Sequence, residues 1–130
     1  MDPKKYTING KGYIQKPLVL GQMDQMMNIL EGVKLTALTP LAIIQALGGR
    51  LPMAAAIVLI PEGMKIRDKD LTAIEDEFAE NLELETALEV AADFLSFNPL
   101  SSISSKSKML INGIWEMLPK IWKKAGLKSS

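Results

Sequence analysis

The feature that most constrains the fold is an apolar run of ten residues, Leu51 to Ile60, which contains no polar or charged side chain. A run that is apolar on every side must be buried, and its length is compatible with either a helix or a strand. Three consecutive alanines and Pro52 near its start favour the helix. The run falls well short of the roughly 20 residues needed to cross a bilayer, and Gly48-Gly49 interrupts any longer apolar stretch. We therefore predict a helix in the core of a folded domain.

The strongest strand signal lies near the N-terminus, from Tyr6 to Ile14. Two short β-prone segments flank Asn9-Gly10, a pair that readily takes the positive φ angles of a type I′ turn. An isolated hairpin is marginal in water, so this one must pack on helices or pair with another chain.

Helix signals account for most of the chain from there to residue 98. The predicted helices are about residues 21–32, a stretch from Thr39-Pro40 to Gly48-Gly49, the apolar run, a stretch capped by Asp68 that carries Leu71, Ile74 and Phe78, and a stretch from about Asn81 to Asn98-Pro99 whose apolar face carries Leu84, Leu88, Ala91 and Leu95.

These signals predict a mainly α fold, a single helical domain of five or six helices with a short N-terminal β-hairpin. Hairpin and helical domain occupy residues 1–100. Residues 101–130 are predicted to form a basic amphipathic helix that packs on the domain or on a partner.

Charge is strongly segregated along the chain. Residues 62–93 hold eleven carboxylates and three bases, whereas residues 101–130 hold six lysines and one glutamate, and the whole chain is neutral. Such polarity suits a protein that works by contact, with a partner or with further copies of itself. We expect a homo-oligomer.

The residues that most chemistry requires are missing. The chain has no cysteine and no histidine, which removes thiol nucleophiles, histidine bases and Cys/His zinc sites. Asp68-x-Asp70 begins like an EF-hand loop, but Ala73 and Ala79 stand where that loop needs glycine and glutamate. Gly10-x-Gly12 lies in the hairpin and not between a strand and a helix. We predict no enzymatic activity, no cofactor and no metal.

Methionine is concentrated in the first predicted helix, at Met23, Met26 and Met27. Methionine surfaces adapt to varied apolar partners. The helical spacing places Met23 and Met27 in the core, and we predict that Met26 is exposed and contacts a partner.

Trp115 and Trp122 are seven residues apart, so on a helix they share one face, and lysines including Lys123 and Lys124 surround them. Four interpretations remain open: a membrane-surface helix, a nucleic-acid contact, a helix docked on a partner or second copy, and a helix packed on its own domain. The last two are favoured, because aromatic residues at helical spacing belong more often to a core or a protein interface.

The order of these features resembles the small tail assembly chaperones of long-tailed bacteriophages and prophages. The matching stretches are the hairpin Tyr6–Ile14, then Leu18-Val19-Leu20-Gly21-Gln22, and later Val90–Pro99. The resemblance covers about residues 6–99 and has no counterpart for the basic C-terminal segment. It implies a non-enzymatic protein that binds the tape measure protein, keeps it soluble while the tail tube assembles, and also meets the tail tube protein.

The expected location is the host bacterial cytoplasm, since the N-terminal residues lack the apolar core of a signal peptide, and no membrane span or nucleic-acid partner is expected. The predicted partner-binding residues are Met26, Phe97, Trp115, Trp122, Lys123 and Lys124. Two alternatives stay open: a structural subunit of a phage particle or tail-like assembly, and a membrane-surface protein acting through its C-terminal helix.

Overall fold

An N-terminal antiparallel hairpin joins a mostly helical body in the computed structural model, which describes residues 2–98. The elements are β1 (Lys4–Ile8), β2 (Lys11–Gln15), α1 (Leu20–Ile29), α2 (Pro40–Leu47), α3 (Leu51–Val58), β3 (Ile60–Pro61), α4 (Leu71–Asn81) and α5 (Leu84–Phe97). The mainly helical class and the hairpin are as predicted. The helix predicted over residues 101–130 lies outside the described residues.

The number of helices differs from the prediction. The sequence predicts that Gly48 and Gly49 end the helix that begins at Pro40. They belong instead to a 3-10 turn, Gly48–Arg50, that joins α2 directly to α3. Pro40 to Val58 is thus one continuous helical stretch, and residues 2–98 contain four such stretches. The predicted five or six helices are not confirmed.

The hairpin turn forms where Asn9-Gly10 predicts it. Asn9 has a φ of 52° and Gly10 a φ of 75°, the two positive values that a type I′ turn requires. Tyr6 pairs with Tyr13 across the strands, and β2 pairs on its other side with the short β3. Tyr6, Ile8 and Tyr13 are buried, so one face of the hairpin packs on the helices.

The apolar run forms the centre of the core, as predicted. All residues from Ala54 to Ile60 are buried, and α3 contacts α1, α2, α4 and α5. The helix ends at Val58, and the last two residues of the run turn into extended backbone that leads into β3. One short apolar stretch therefore supplies both the central helix and the start of the third strand.

Lys69 completes the end of this central helix. Its ammonium group donates hydrogen bonds to the carbonyl oxygens of Ala56, Ile57 and Leu59, at 2.7, 2.9 and 3.2 Å. Carbonyls at a helix C-terminus have no partner within the helix, and a cation is favourable there. Burial lowers the pKa of Lys69 to about 8. Sequence analysis did not identify this lysine.

Two local predictions about the acidic helices are wrong. Asp70, and not Asp68, caps α4, its carboxylate accepting a hydrogen bond from the Ala73 N–H at 3.1 Å. Leu84 is 61% exposed, because it lies in the first turn of α5, before the helix reaches the core. Ala91 and Leu95 of the predicted face are buried, and the buried side of α5 also includes Ala87, Val90 and Phe97.

Replacing Gly10 with valine should destabilise the hairpin. A β-branched residue at positive φ is strained, and the left-handed region costs an L-residue roughly 1–2 kcal/mol. We expect a lower melting temperature by circular dichroism. Gly10→Asn is the matched control, since asparagine tolerates this conformation and should lose less stability. An unchanged melting temperature for Gly10→Val would contradict the turn assignment.

Replacing Lys69 with methionine should destabilise the whole domain. The substitution leaves three carbonyls at the end of α3 without their donor, and an unsatisfied buried polar group costs about 1–3 kcal/mol. We expect the free energy of unfolding in urea to fall by about 2 kcal/mol or more. The control is Lys65→Met at an exposed position. Equal stability of the two variants would show that the ammonium does not support α3.

Candidate functional site

An apolar groove opens beside α3, between the segment 30–38, α2 and α5. Its lining side chains are all apolar and include Met26, Leu30, Leu35, Leu38, Ile43, Leu47, Leu51, Leu82 and Phe94. The cavity within it measures about 70 Å³. Cavities lined in this way stay dry and accept apolar groups. We call this surface the apolar groove.

Most α3 and α5 side chains that line the groove are buried, and the partly exposed side of its lining comes from α2 and the segment 30–38. The segment 30–38 forms neither helix nor strand, and its leucines are only half-buried. In α2, which carries no charged residue, Leu47 is the one buried residue and Leu41 is 51% exposed. A helix this apolar with so little burial presents more apolar surface than a self-contained domain needs.

The helical stretch that contains α2 and α3 is also long and apolar enough to be compared with a membrane span. The helical stretch Pro40–Val58 has 19 residues and a mean hydropathy of 1.6, which is long and apolar enough to cross a bilayer. Length and composition alone support that statement, and the core helix of a folded protein passes the same test. The α3 half of the stretch is buried in the domain, whereas the α2 half is mostly half-exposed.

The predicted partner-binding residues divide into three cases. Met26 is 6% exposed, so the prediction of an exposed methionine is wrong, because α1 turns this side chain toward the core. It nevertheless lines the apolar groove. Phe97 is 8% exposed and packs at the end of α5, outside the groove lining. Trp115, Trp122, Lys123 and Lys124 lie outside the described residues.

A second, wider groove of about 620 Å³ runs between the hairpin turn and α4. Its apolar lining comes from Tyr13, Pro61, Met64 and Ile74, and its carboxylates are Asp68, Asp70, Asp76, Glu77 and Glu80. We call it the acidic groove. Sequence analysis did not foresee that the hairpin forms the wall opposite these carboxylates.

Glu77 attaches the hairpin to α4 at this groove. Its carboxylate accepts hydrogen bonds from Asn9 Nδ2 at 3.3 Å and the Tyr13 hydroxyl at 3.1 Å, and forms an ion pair with Lys11 at 3.0 Å. The Lys11 hydrogen bond is the main reason that the pKa of Glu77 lies below its ordinary value. Tyr13 is buried edge-on against Phe78, and this burial, reinforced by Glu77, raises its pKa to about 12.

Asp93 plays the same role on α5. The Tyr6 hydroxyl donates to Asp93 Oδ2 at 2.5 Å and accepts from Gln15 Nε2 at 2.9 Å, while Gln15 also donates to the Val90 carbonyl at 3.1 Å. Burial, followed by the Asp93 hydrogen bond, raises the pKa of Tyr6 far above its ordinary value. Two carboxylates of the acidic segment, residues 62–93, therefore accept hydrogen bonds from the hydroxyl groups of the two hairpin tyrosines.

The carboxylates of the described part of the chain do not assemble into a metal-binding arrangement. Within residues 2–98 no group of three or more aspartate, glutamate, cysteine or histidine side chains is placed to hold a metal ion. The two grooves differ in chemistry, since the lining of one is entirely apolar and the lining of the other carries five carboxylates.

The tyrosine contacts predict a specific response to alkali. Because the pKa of Tyr13 is raised from 10.0 to about 12 in the fold, its contribution to stability is complete below pH 10 and is lost as the pH approaches 12. At pH 7, Tyr13→Phe should be less stable by about 1 kcal/mol for the lost hydrogen bond. We would measure the free energies of unfolding of wild type and Tyr13→Phe in urea at several values from pH 10 to pH 12. The difference between the two should become smaller as the pH rises. A difference independent of pH would contradict the buried, hydrogen-bonded hydroxyl.

Comparison of this chain with models of known protein families, with curated proteins and with solved structures finds no match. The two grooves are thus the physical basis for inferring a function.

Proposed function

We propose that this protein is a non-enzymatic tail assembly chaperone of a long-tailed phage, which binds the tape measure protein and keeps it soluble while the tail tube assembles. The observation that supports this best is the apolar groove, a small cavity of about 70 Å³ with an entirely apolar lining beside the core helix. The order of sequence features that resembles this family supports it independently.

The groove suits one face of an amphipathic helix. Its lining comes from α2, α3, α5 and the segment 30–38, and its volume of about 70 Å³ accepts an apolar side chain presented by such a helix. A helix laid into such a groove buries apolar side chains spaced three and four residues apart. Met26 in the lining adds a side chain that adapts to different occupants. A client with successive apolar helical stretches is held segment by segment.

Charged side chains outside the groove lining help to keep such a complex soluble. Glu80, Glu85 and Glu89 are exposed on α4 and α5, and none of them lines the apolar groove. Exposed charged side chains limit nonspecific association between complexes. A protein with an apolar groove on one side and carboxylates on another can cover a client without precipitating.

The wider proposal includes features outside the described residues. The basic segment 101–130 provides a further helix, which would complete the five- or six-helix domain. The protein acts in the host cytoplasm as a homo-oligomer and meets the tail tube protein during assembly.

One observation favours a second candidate function. The stretch Pro40–Val58 satisfies the length and composition of a membrane span, which fits a protein that inserts into a membrane. The buried α3 favours the chaperone, because membrane insertion would expose the side chains of α1, α4 and α5 that now pack on it.

Co-expression with the tape measure protein from the same gene cluster tests the proposal. We expect wild type to keep the tape measure protein in the soluble fraction. Leu35→Glu introduces a charge into the half-buried groove wall and should abolish this effect, since an unpaired charge at an apolar contact is costly. Leu20→Glu is the matched control, because Leu20 is 80% exposed and outside the groove lining.

Three results would count against the chaperone. Equal solubilisation by Leu35→Glu, with its fold verified by circular dichroism, would exclude the groove as the binding site. Stoichiometric amounts of the chain in purified tails, measured by mass spectrometry, would indicate a structural subunit. Sedimentation of the full chain with phospholipid vesicles would indicate the membrane-surface function.

A further inference from the structure

We propose that the basic C-terminal segment, residues 101–130, docks in the acidic groove of its own chain. The inference does not depend on the chaperone function. It rests on the shape and charge of the groove, on the charge of the segment, and on the position at which the described chain ends.

The charges of the two parts are equal and opposite. Residues 2–98 carry a net charge of −5 from nine bases and fourteen acids, and residues 101–130 carry +5 from six lysines and one glutamate. Attraction between them is strongest at the carboxylates that lack a nearby base. The two ion pairs among the described residues are Lys5–Glu62 and Lys11–Glu77, so Asp68, Asp76 and Glu80 of the groove form no ion pair with another described residue.

The groove also offers an apolar surface. Tyr13, Pro61, Met64 and Ile74 line it between the carboxylates, and Met64 is 43% exposed. The segment has the matching composition: Ile114 and Leu118 precede Pro119, where a helix bends or ends, and Ile121 follows it together with Lys120, Lys123 and Lys124. If the apolar side chains of the segment contact the apolar lining of the acidic groove, the lysines of the segment lie near the carboxylates of the groove. The apolar groove is a poorer fit, since its lining offers no acceptor for a lysine.

The segment can reach the groove. The described chain ends at Asn98, whose side chain accepts a hydrogen bond from the Leu18 N–H at 3.1 Å, just beyond the open end of the hairpin. The acidic groove lies toward the other end, beside the Asn9 turn, so the path is at least the length of the five-residue strand β2, or roughly 17 Å. Residues 99–105 alone span up to about 23 Å when extended.

Docking within one chain is favoured over docking on a second copy. A tether that spans its site gives an effective concentration in the millimolar range, well above ordinary protein concentrations. At micromolar concentrations the chain's own groove therefore captures the segment first. The predicted partner-binding residues Trp115, Trp122, Lys123 and Lys124 would then have a partner in the same chain.

Tryptophan fluorescence reports directly on this docking, because both tryptophans of the chain, Trp115 and Trp122, lie in the segment. In the full-length protein at low salt we expect blue-shifted emission and protection from acrylamide quenching, unchanged on dilution. Protection should fall in 1 M NaCl, where electrostatic attraction is screened beyond about 3 Å.

Charge reversal locates the docking site. The double variant Asp76→Lys/Glu80→Lys should remove the protection, while Glu85→Lys/Glu89→Lys, which reverses two exposed carboxylates outside the groove lining, should retain most of it. Adding Lys120→Glu/Lys123→Glu to the groove variant should restore protection by reconstituting the opposite charges. Circular dichroism melts confirm that each variant is folded.

Four outcomes would overturn the proposal. These are red-shifted and unprotected tryptophans in wild type, equal loss of protection in both double variants, no restoration in the charge-exchanged variant, and protection that disappears on dilution. The last result would assign the groove to the segment of a second copy.

Discussion

The burial of α3 is the constraint on which the rest of the structure depends. A helix without a polar face has no side that can be left in water, so every other element is arranged to cover it. Four helices contact it, and the chain leaving it continues into β3, which ties the helical body to the hairpin. The carbonyls at the C-terminal end of this buried helix need hydrogen-bond donors. The ammonium group of Lys69 donates three hydrogen bonds to them.

The same constraint explains the apolar groove. A short chain surrounding an entirely apolar helix has few residues with which to cover it, and the segment 30–38 covers α3 and α5 with separate leucines instead of a regular element. The uncovered remainder is therefore apolar and lies beside the most buried part of the domain. In the proposed function a client helix completes this cover, so the binding surface is an extension of the core.

The acidic segment has two separate roles in this arrangement. Glu77 and Asp93 are structural, because they receive the tyrosine hydroxyls that attach the hairpin to α4 and α5. Asp68, Asp76 and Glu80 make no ion pair within residues 2–98 and face the acidic groove. The carboxylates of residues 62–93 thus divide by role, with Glu77 and Asp93 bonded to the hairpin and Asp68, Asp76 and Glu80 available for contact at the acidic groove.

Sequence alone determined the elements whose cause is local. Asn9-Gly10 specifies its turn through the φ angles it tolerates, Thr39-Pro40 begins α2 with its own hydroxyl as cap, and the run Leu51–Ile60 requires burial whatever surrounds it. Only the tertiary structure decided the choices that depend on distant residues. Nothing in the sequence distinguishes Lys69 from the other lysines, because its role depends on its position beside the end of α3. Met26 is buried because α3 packs on that side of α1. The acidic groove exists because the hairpin packs against α4. Helical spacing states which residues share a face, but which face is covered depends on contacts between segments far apart in the chain.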